Sequence, residues 1–161
     1  MPEGIAEGIG ASVRRKEDKK FTTGKGRYTD DINRPGQLHA FFIRSDVAHA
    51  KIKSIDITKA LKSDGVAAIY TGADIAADGV GGPICGWTPT NRDGSAPKEP
   101  PHPLLANGKV RYVGDHIAVV IAESMEQAKS AAENVQIDLE ALAPVVDLST
   151  AIGNTQIHDE M

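Results

Sequence analysis

The side chains in this sequence able to hold a metal, form a thiolate or pass a proton are five histidines, one cysteine and a few adjacent carboxylates. His39, His49, His102, His116 and His158 are scattered, with no HExxH-like or cysteine-paired spacing that would bring two ligands to one ion. Cys85 sits in GGPICGWTP with no neighbouring base or cation to stabilise a thiolate, and reads as an ordinary loop thiol. Asp30-Asp31 and Asp159-Glu160 are adjacent in sequence, but adjacency does not set the separation that paired acid and base work requires, so both read as solvated turns. Gly24-Lys25-Gly26 lacks the third glycine, the preceding strand and the following helix of a phosphate loop. These residues therefore nominate no catalytic, cofactor-binding or metal site. Trp87, in a proline-rich stretch, is an amphipathic aromatic suited either to anchoring a partner surface or to capping its own loop.

The chain has 161 residues, 40% of them hydrophobic, enough for one domain with a proper core. A net charge of -4 with dispersed Lys and Arg gives no electrostatic reason to expect nucleic acid or an anionic membrane as partner. One cysteine excludes an intramolecular disulfide, and MPEGIAEGIG lacks the basic and apolar regions of a secretory signal, so a cytoplasmic location is expected. No apolar run approaches the roughly 20 residues of a membrane-spanning helix.

The strongest structural signals converge on His102 to Ser124. Lys109 to Val113 is strand-like, Gly114-Asp115 offers a turn, and Ile117 to Ala122 is apolar enough for a strand covered on both faces, so a central hairpin is expected. Ser124 and Gln127 have the spacing of a capping box opening a helix, whose stripe Met125, Ala128, Ala131, Ala132 and Val135 is narrow and mostly small. Val135, Ile137 and Leu139 then alternate with polar residues, predicting a strand with one wet face that Pro144 ends. Upstream, Leu38 to Arg44 and Ala50 to Ile57 predict two strands joined as a hairpin through Ser45 to His49. The apolar phase of the second changes as a bulge near Ser54 would produce. Thr58 is expected to cap a short helical stretch stopped by Gly65, Val66 to Tyr70 to form a third strand, and Thr71 to Asp74 to close it. Six of the nine prolines fall between Gly79 and Pro103, predicting a long irregular loop. Met1 to Lys20 is expected to be extended or mobile unless docked, Phe21 to Gln37 irregular, and Leu148 to Ile152 a short helix.

Several stretches in order resemble the start of a molybdenum hydroxylase large subunit, the family of xanthine dehydrogenase, aldehyde oxidase and aerobic carbon monoxide dehydrogenase. They are Thr23 to Asp31 (TGKGRYTDD), Leu38-His39-Ala40, Arg44-Ser45, Ala48 to Ile52 (AHAKI), Thr71 to Asp74 (TGAD), His102 to Ala106 (HPLLA) and Lys109 to Gly114 (KVRYVG), with the exit Pro144 to Asp147 (PVVD). Where many bacterial relatives have proline after the turn acid, this chain has His116, which leaves a backbone donor available.

The resemblance implies an α+β fold, the α/β hammerhead, with a mixed or antiparallel sheet, packed helices and the long Pro/Gly-rich loop. It implies a flexible lead over 1–20, the hammerhead domain over 21–147, and a tail over 148–161 leading toward a molybdopterin-binding region. The family hydroxylates a carbon centre or oxidises carbon monoxide, taking oxygen from water and passing electrons from molybdenum to iron-sulfur and flavin partners. Its molybdopterin-contacting loops and its glutamate base belong to later domains. The chain is thus expected to be non-catalytic alone and to bind no cofactor itself. Its implied partners are the molybdopterin-binding remainder of the large subunit and the iron-sulfur and FAD subunits or domains. Trp87, Arg111 and Tyr112 are the candidate interface residues. An independent protein- or ligand-binding module that kept the hammerhead fold is the competing reading.

Overall fold

The computed structural model describes residues 9–10, 15–84, 86–153 and 156–159. The chain divides into two compact units, Met1–Gln37 and Leu38–Met161.

The first unit is built around α1 (Asp18–Thr22), which buries none of its residues. Gly24 follows it at φ +70°, and the Lys25 N–H reaches the Lys20 carbonyl at 2.9 Å, closing the helix with a left-handed glycine. The Phe21 ring stacks on Tyr28 at 5.1 Å, and a Cβ at Gly26 would run into Phe21. A 3₁₀ turn at Thr29–Asp31 is pinned by the Asp31 carboxylate, which accepts from the Tyr28 N–H at 2.8 Å. The sequence reading, extended to Lys20 and irregular beyond it, missed both elements. Neither has an apolar stripe to announce it; one glycine stop and one ring pair hold the first, a side-chain cap the second.

The second unit holds two three-stranded antiparallel sheets. β1 (His39–Arg44), β5 (His116–Ala122) and β3 (Val66–Thr71) form one, in the order β1-β5-β3; β4 (Lys109–Val110), β2 (Ala50–Asp56) and β6 (Gln136–Ala141) form the other, in the order β4-β2-β6. Neither expected hairpin exists. β1 and β2 lie in different sheets, as do β4 and β5, so residues 45–49 and 111–115 are crossings between sheets. Each crossing supplies the other's backbone partners: the Ser45 N–H donates to the Asp115 carbonyl at 2.8 Å, and the Gly114 N–H to the Ser45 carbonyl at 2.7 Å. Backbone groups at a buried crossing must be paired, and two crossings side by side pair each other.

α3 (Met125–Ala132) opens as its sequence predicts, with the Ser124 hydroxyl oxygen accepting from the Gln127 N–H at 3.2 Å. Its Ala128 and Ala131 are fully buried, and these small side chains bring the helix close to Val120, Ala122 and Ile69, with Phe41 and Ile43 packed alongside. Gly65 (φ +73°) ends the preceding connection where a Cβ would strike the Gln127 amide. That connection is a 3₁₀ turn, Ala60–Lys62, and Thr58 does not cap it: the Thr58 N–H instead donates to the Asp56 carboxylate at 2.9 Å. The bulge expected near Ser54 is present, the register with β6 shifting between Ile52 and Ser54. A second core of Ala50, Ala106, Val110 and Ile117 lies against Ile52, Ile137 and Leu139 of the β2–β6 sheet.

Thr71 to Asp74, read as a closing turn, instead opens a short helix, α2 (Gly72–Ala77). The Asp74 carboxylate accepts from both the N–H and the hydroxyl of Thr71 at 2.7 Å, and these bonds hold its pKa below the usual carboxylate value. Gly72 is buried because the Ala106 backbone occupies the place a Cβ would take. Between α2 and β4 no strand or helix occurs among the described residues. A small turn at 91–95 is closed by the Asn91 N–H on the Ser95 carbonyl and the Ser95 N–H on the Asp93 carboxylate, both at 2.9 Å. Leu148–Thr150 forms the expected short helical turn, as 3₁₀.

Candidate functional site

The polar and apolar features of the second unit meet around the 111–115 crossing. Asp115, 8% exposed, accepts the Arg111 N–H on its carboxylate at 3.0 Å, and its own N–H donates to the Tyr112 carbonyl at 3.2 Å. Gly114 takes φ +91° to complete the turn. Burial, followed by the charge of Asp115, pushes the Tyr112 phenol above its ordinary pKa. This turn presents Arg111 to a cavity of about 560 Å³ whose other wall is the proline-rich stretch, including Pro83, Pro100, Pro101 and Pro103. It presents Tyr112 to a groove of about 440 Å³ with Phe42, Leu104, His116 and Val119. Phe42 and His116 face each other at 4.8 Å.

Of the three residues singled out from the sequence, Arg111 and Tyr112 are therefore neighbours on one turn, while Trp87 lies exposed in the loop and lines neither space. Cys85 falls outside the described residues. Phe42, Leu104 and Val119 were not singled out. The signal for Phe42 was available: in LHAFFIR two aromatics are adjacent in a strand, so they must point to opposite faces, and only Phe41 packs against the α3 core.

A second cluster gathers where the tail returns to β4. The Lys109 ammonium meets the Asp159 carboxylate at 2.7 Å, and that bond, then that charge, holds Asp159 below its ordinary pKa; Arg111 and His49 lower it further. The carboxylate read as a solvated turn is thus paired, while Glu160 lies outside the described residues. His49, 5% exposed, donates from Nδ1 to the Ala143 carbonyl at 2.9 Å, and its Nε2 has no hydrogen-bond partner among the described residues. No three His, Cys, Asp or Glu side chains converge in metal-binding geometry among the described residues.

Two crossed antiparallel sheets, one helix packed through alanines and a long proline-rich connection define the class: an α+β domain with apolar outer surface at the junction of its sheets. Residues 23–143 match the family model described as aldehyde oxidase and xanthine dehydrogenase, a/b hammerhead domain, and the chain belongs to that family. It is 40% identical over 139 residues to the nicotine 6-hydroxylase large subunit of Paenarthrobacter nicotinovorans, covering 86% of this chain and 16% of that protein. It is 39% identical over 143 residues to the carbon monoxide dehydrogenase large chain of Afipia carboxidovorans, covering 88% and 16%. Among solved structures, quinoline 2-oxidoreductase from Pseudomonas putida 86 superposes with a TM-score of 0.79 at 37% identity, over 93% of this chain and 18% of that one. The chain thus spans about a sixth of the length of these relatives.

The cavity at Arg111 combines Pro83, Pro100, Pro101 and Pro103, whose ring nitrogens have no hydrogen to donate, with His102, Asn107 and Arg111, whose side chains can donate. No helix among the described residues is long and apolar enough to cross a membrane.

Proposed function

We propose that this domain is a scaffold and interface element of a molybdenum-containing hydroxylase of the xanthine, aldehyde or carbon monoxide dehydrogenase type, without catalytic activity of its own. In this reading molybdopterin is held by the remainder of the large subunit, and iron-sulfur clusters and FAD by partner subunits or domains, in the cytoplasm. The observation that carries it is one of proportion: residues 23–143 match a single domain, and the matched relatives are about six times longer.

The test is association. The 161-residue chain is mixed with the nicotine 6-hydroxylase large subunit expressed without its own hammerhead segment, and the mixture is run on gel filtration. Co-elution as a stable complex is the expected result. Separate elution from this and every other cognate remainder would favour the independent binding module.

A further inference from the structure

The β1-β5-β3 sheet packs one face on α3; on the other, Ile117 is buried in the second core while the row through Phe42, Val119 and Tyr70 is less covered. Phe41, Ile43, Ile69, Val120 and Ala122 point to the α3 side and form the core. Register pairs Phe42 with Val119 and Val119 with Tyr70, so these three side chains make one cross-strand row on the opposite face. That row sets a valine between two aromatic rings, yet Phe42 is 41% and Tyr70 40% exposed. Beside it, Leu104 at 42% and Tyr112 at 47% extend the apolar surface from two other stretches of chain, and the groove of about 440 Å³ runs between them. A single exposed leucine or tyrosine needs no explanation; a row across a sheet, continued by two further residues along a groove, is the kind of patch that marks an interaction site.

We infer that this sheet face and its groove form the surface on which the remaining polypeptide of the large subunit docks, through an apolar segment that inserts between Phe42, Leu104 and Tyr112. The inference rests on the scaffold reading, because that reading supplies the occupant: the relatives carry this domain as 16% of a much longer polypeptide. The crossing turn suits the role, since Asp115 holds the backbone at Arg111 and Tyr112 from within, and Tyr112, 47% exposed, stands on that turn. Binding energy in such interfaces concentrates in a few aromatic anchors seated in grooves.

The association experiment is repeated with Phe42→Glu and Leu104→Glu, which place a charge in the groove, and with Leu61→Glu as the control. Leu61 is 46% exposed, comparable to the groove residues, but lies outside the groove lining. Far-UV circular dichroism and urea midpoints establish that each variant is folded. The dissociation constant from the large-subunit remainder is expected to rise at least about tenfold for both groove variants and less than about twofold for Leu61→Glu. If the unsubstituted chain binds and the groove variants bind equally well, the docking face is wrong and the scaffold reading stands. If the unsubstituted chain does not bind, both fail. If the chain alone forms a dimer that Phe42→Glu dissolves, the occupant is a second copy and the inference is overturned.

Discussion

Replacing Asp115 tests the organisation of the whole second unit, because its carboxylate closes the turn that carries the chain from one sheet to the other. The carboxylate is 8% exposed and accepts the Arg111 N–H at 3.0 Å. Asp115→Ala leaves that N–H without its acceptor, at a cost of roughly 2–3 kcal/mol for a bond to a charged group. Asp115→Asn keeps an acceptor oxygen and removes only the charge, so about 1 kcal/mol is expected. With a urea slope of about 1–3 kcal/mol/M, the alanine variant lowers the midpoint by roughly 1 M and the asparagine variant by about half as much. Far-UV circular dichroism is the proper probe, since Trp87 is 77% exposed and poorly placed to report unfolding. A second readout is independent of stability. The Tyr112 pKa is raised first by burial and then by the Asp115 charge, so Asp115→Asn lowers it while leaving it above its ordinary value. Ultraviolet titration against Tyr112→Phe assigns the signal among the three tyrosines. Unfolding free energies within about 0.5 kcal/mol of the parent for both variants, with an unmoved Tyr112, would refute the claim that this carboxylate builds the turn.

Gly114→Val is expected to cost about 1–2 kcal/mol from backbone strain alone, because φ is +91° and no atom crowds the position; an unchanged urea midpoint would show otherwise. Ala128→Leu, at a fully buried position facing Val120 and Ile69, is expected to destabilise by about 1–3 kcal/mol through overpacking, read by the same denaturation. Lys109→Gln should raise the Asp159 pKa toward its ordinary value, followed by NMR titration of the carboxyl carbon. Because the folded-state pKa of Asp159 is depressed, the stabilisation from this pair is present above the ordinary value of 3.8. It is lost as pH falls through the lower folded-state value.

What the sequence made legible was local. The six-residue run from Ile117 to Ala122, the Ser124 cap, the Gly65 stop, the bulge at Ser54 and the alternation through Leu139 each depend on neighbours a few residues apart, and each is found in the fold. Strand partners were not legible. Alternation tells which residues share a face but not which strand lies alongside, and a strand–turn–strand pattern at Lys109 to Ala122 looks the same whether it folds back or crosses over. The decision is made by the Ser45–Gly114 and Ser45–Asp115 backbone bonds, far apart in sequence. α2 went unseen because its cap, Thr71 to Asp74, is a good turn sequence and Ile75 is its only large apolar residue. Arg111 and Tyr112, the interface candidates, lie on one turn, Arg111 lining the larger cavity and Tyr112 the groove, but Phe42, Leu104 and Val119 come together only once strand register is known.

The claim that this domain supports a molybdenum hydroxylase without holding its chemistry is tested most directly by the metal and flavin content of the pure chain. The chain is produced in cells that make molybdopterin, and molybdenum and iron are measured by plasma mass spectrometry, flavin by absorbance, and turnover with purines, aldehydes and carbon monoxide. The account predicts molybdenum, iron and flavin far below one equivalent and no turnover. One equivalent of molybdenum retained through purification would contradict it.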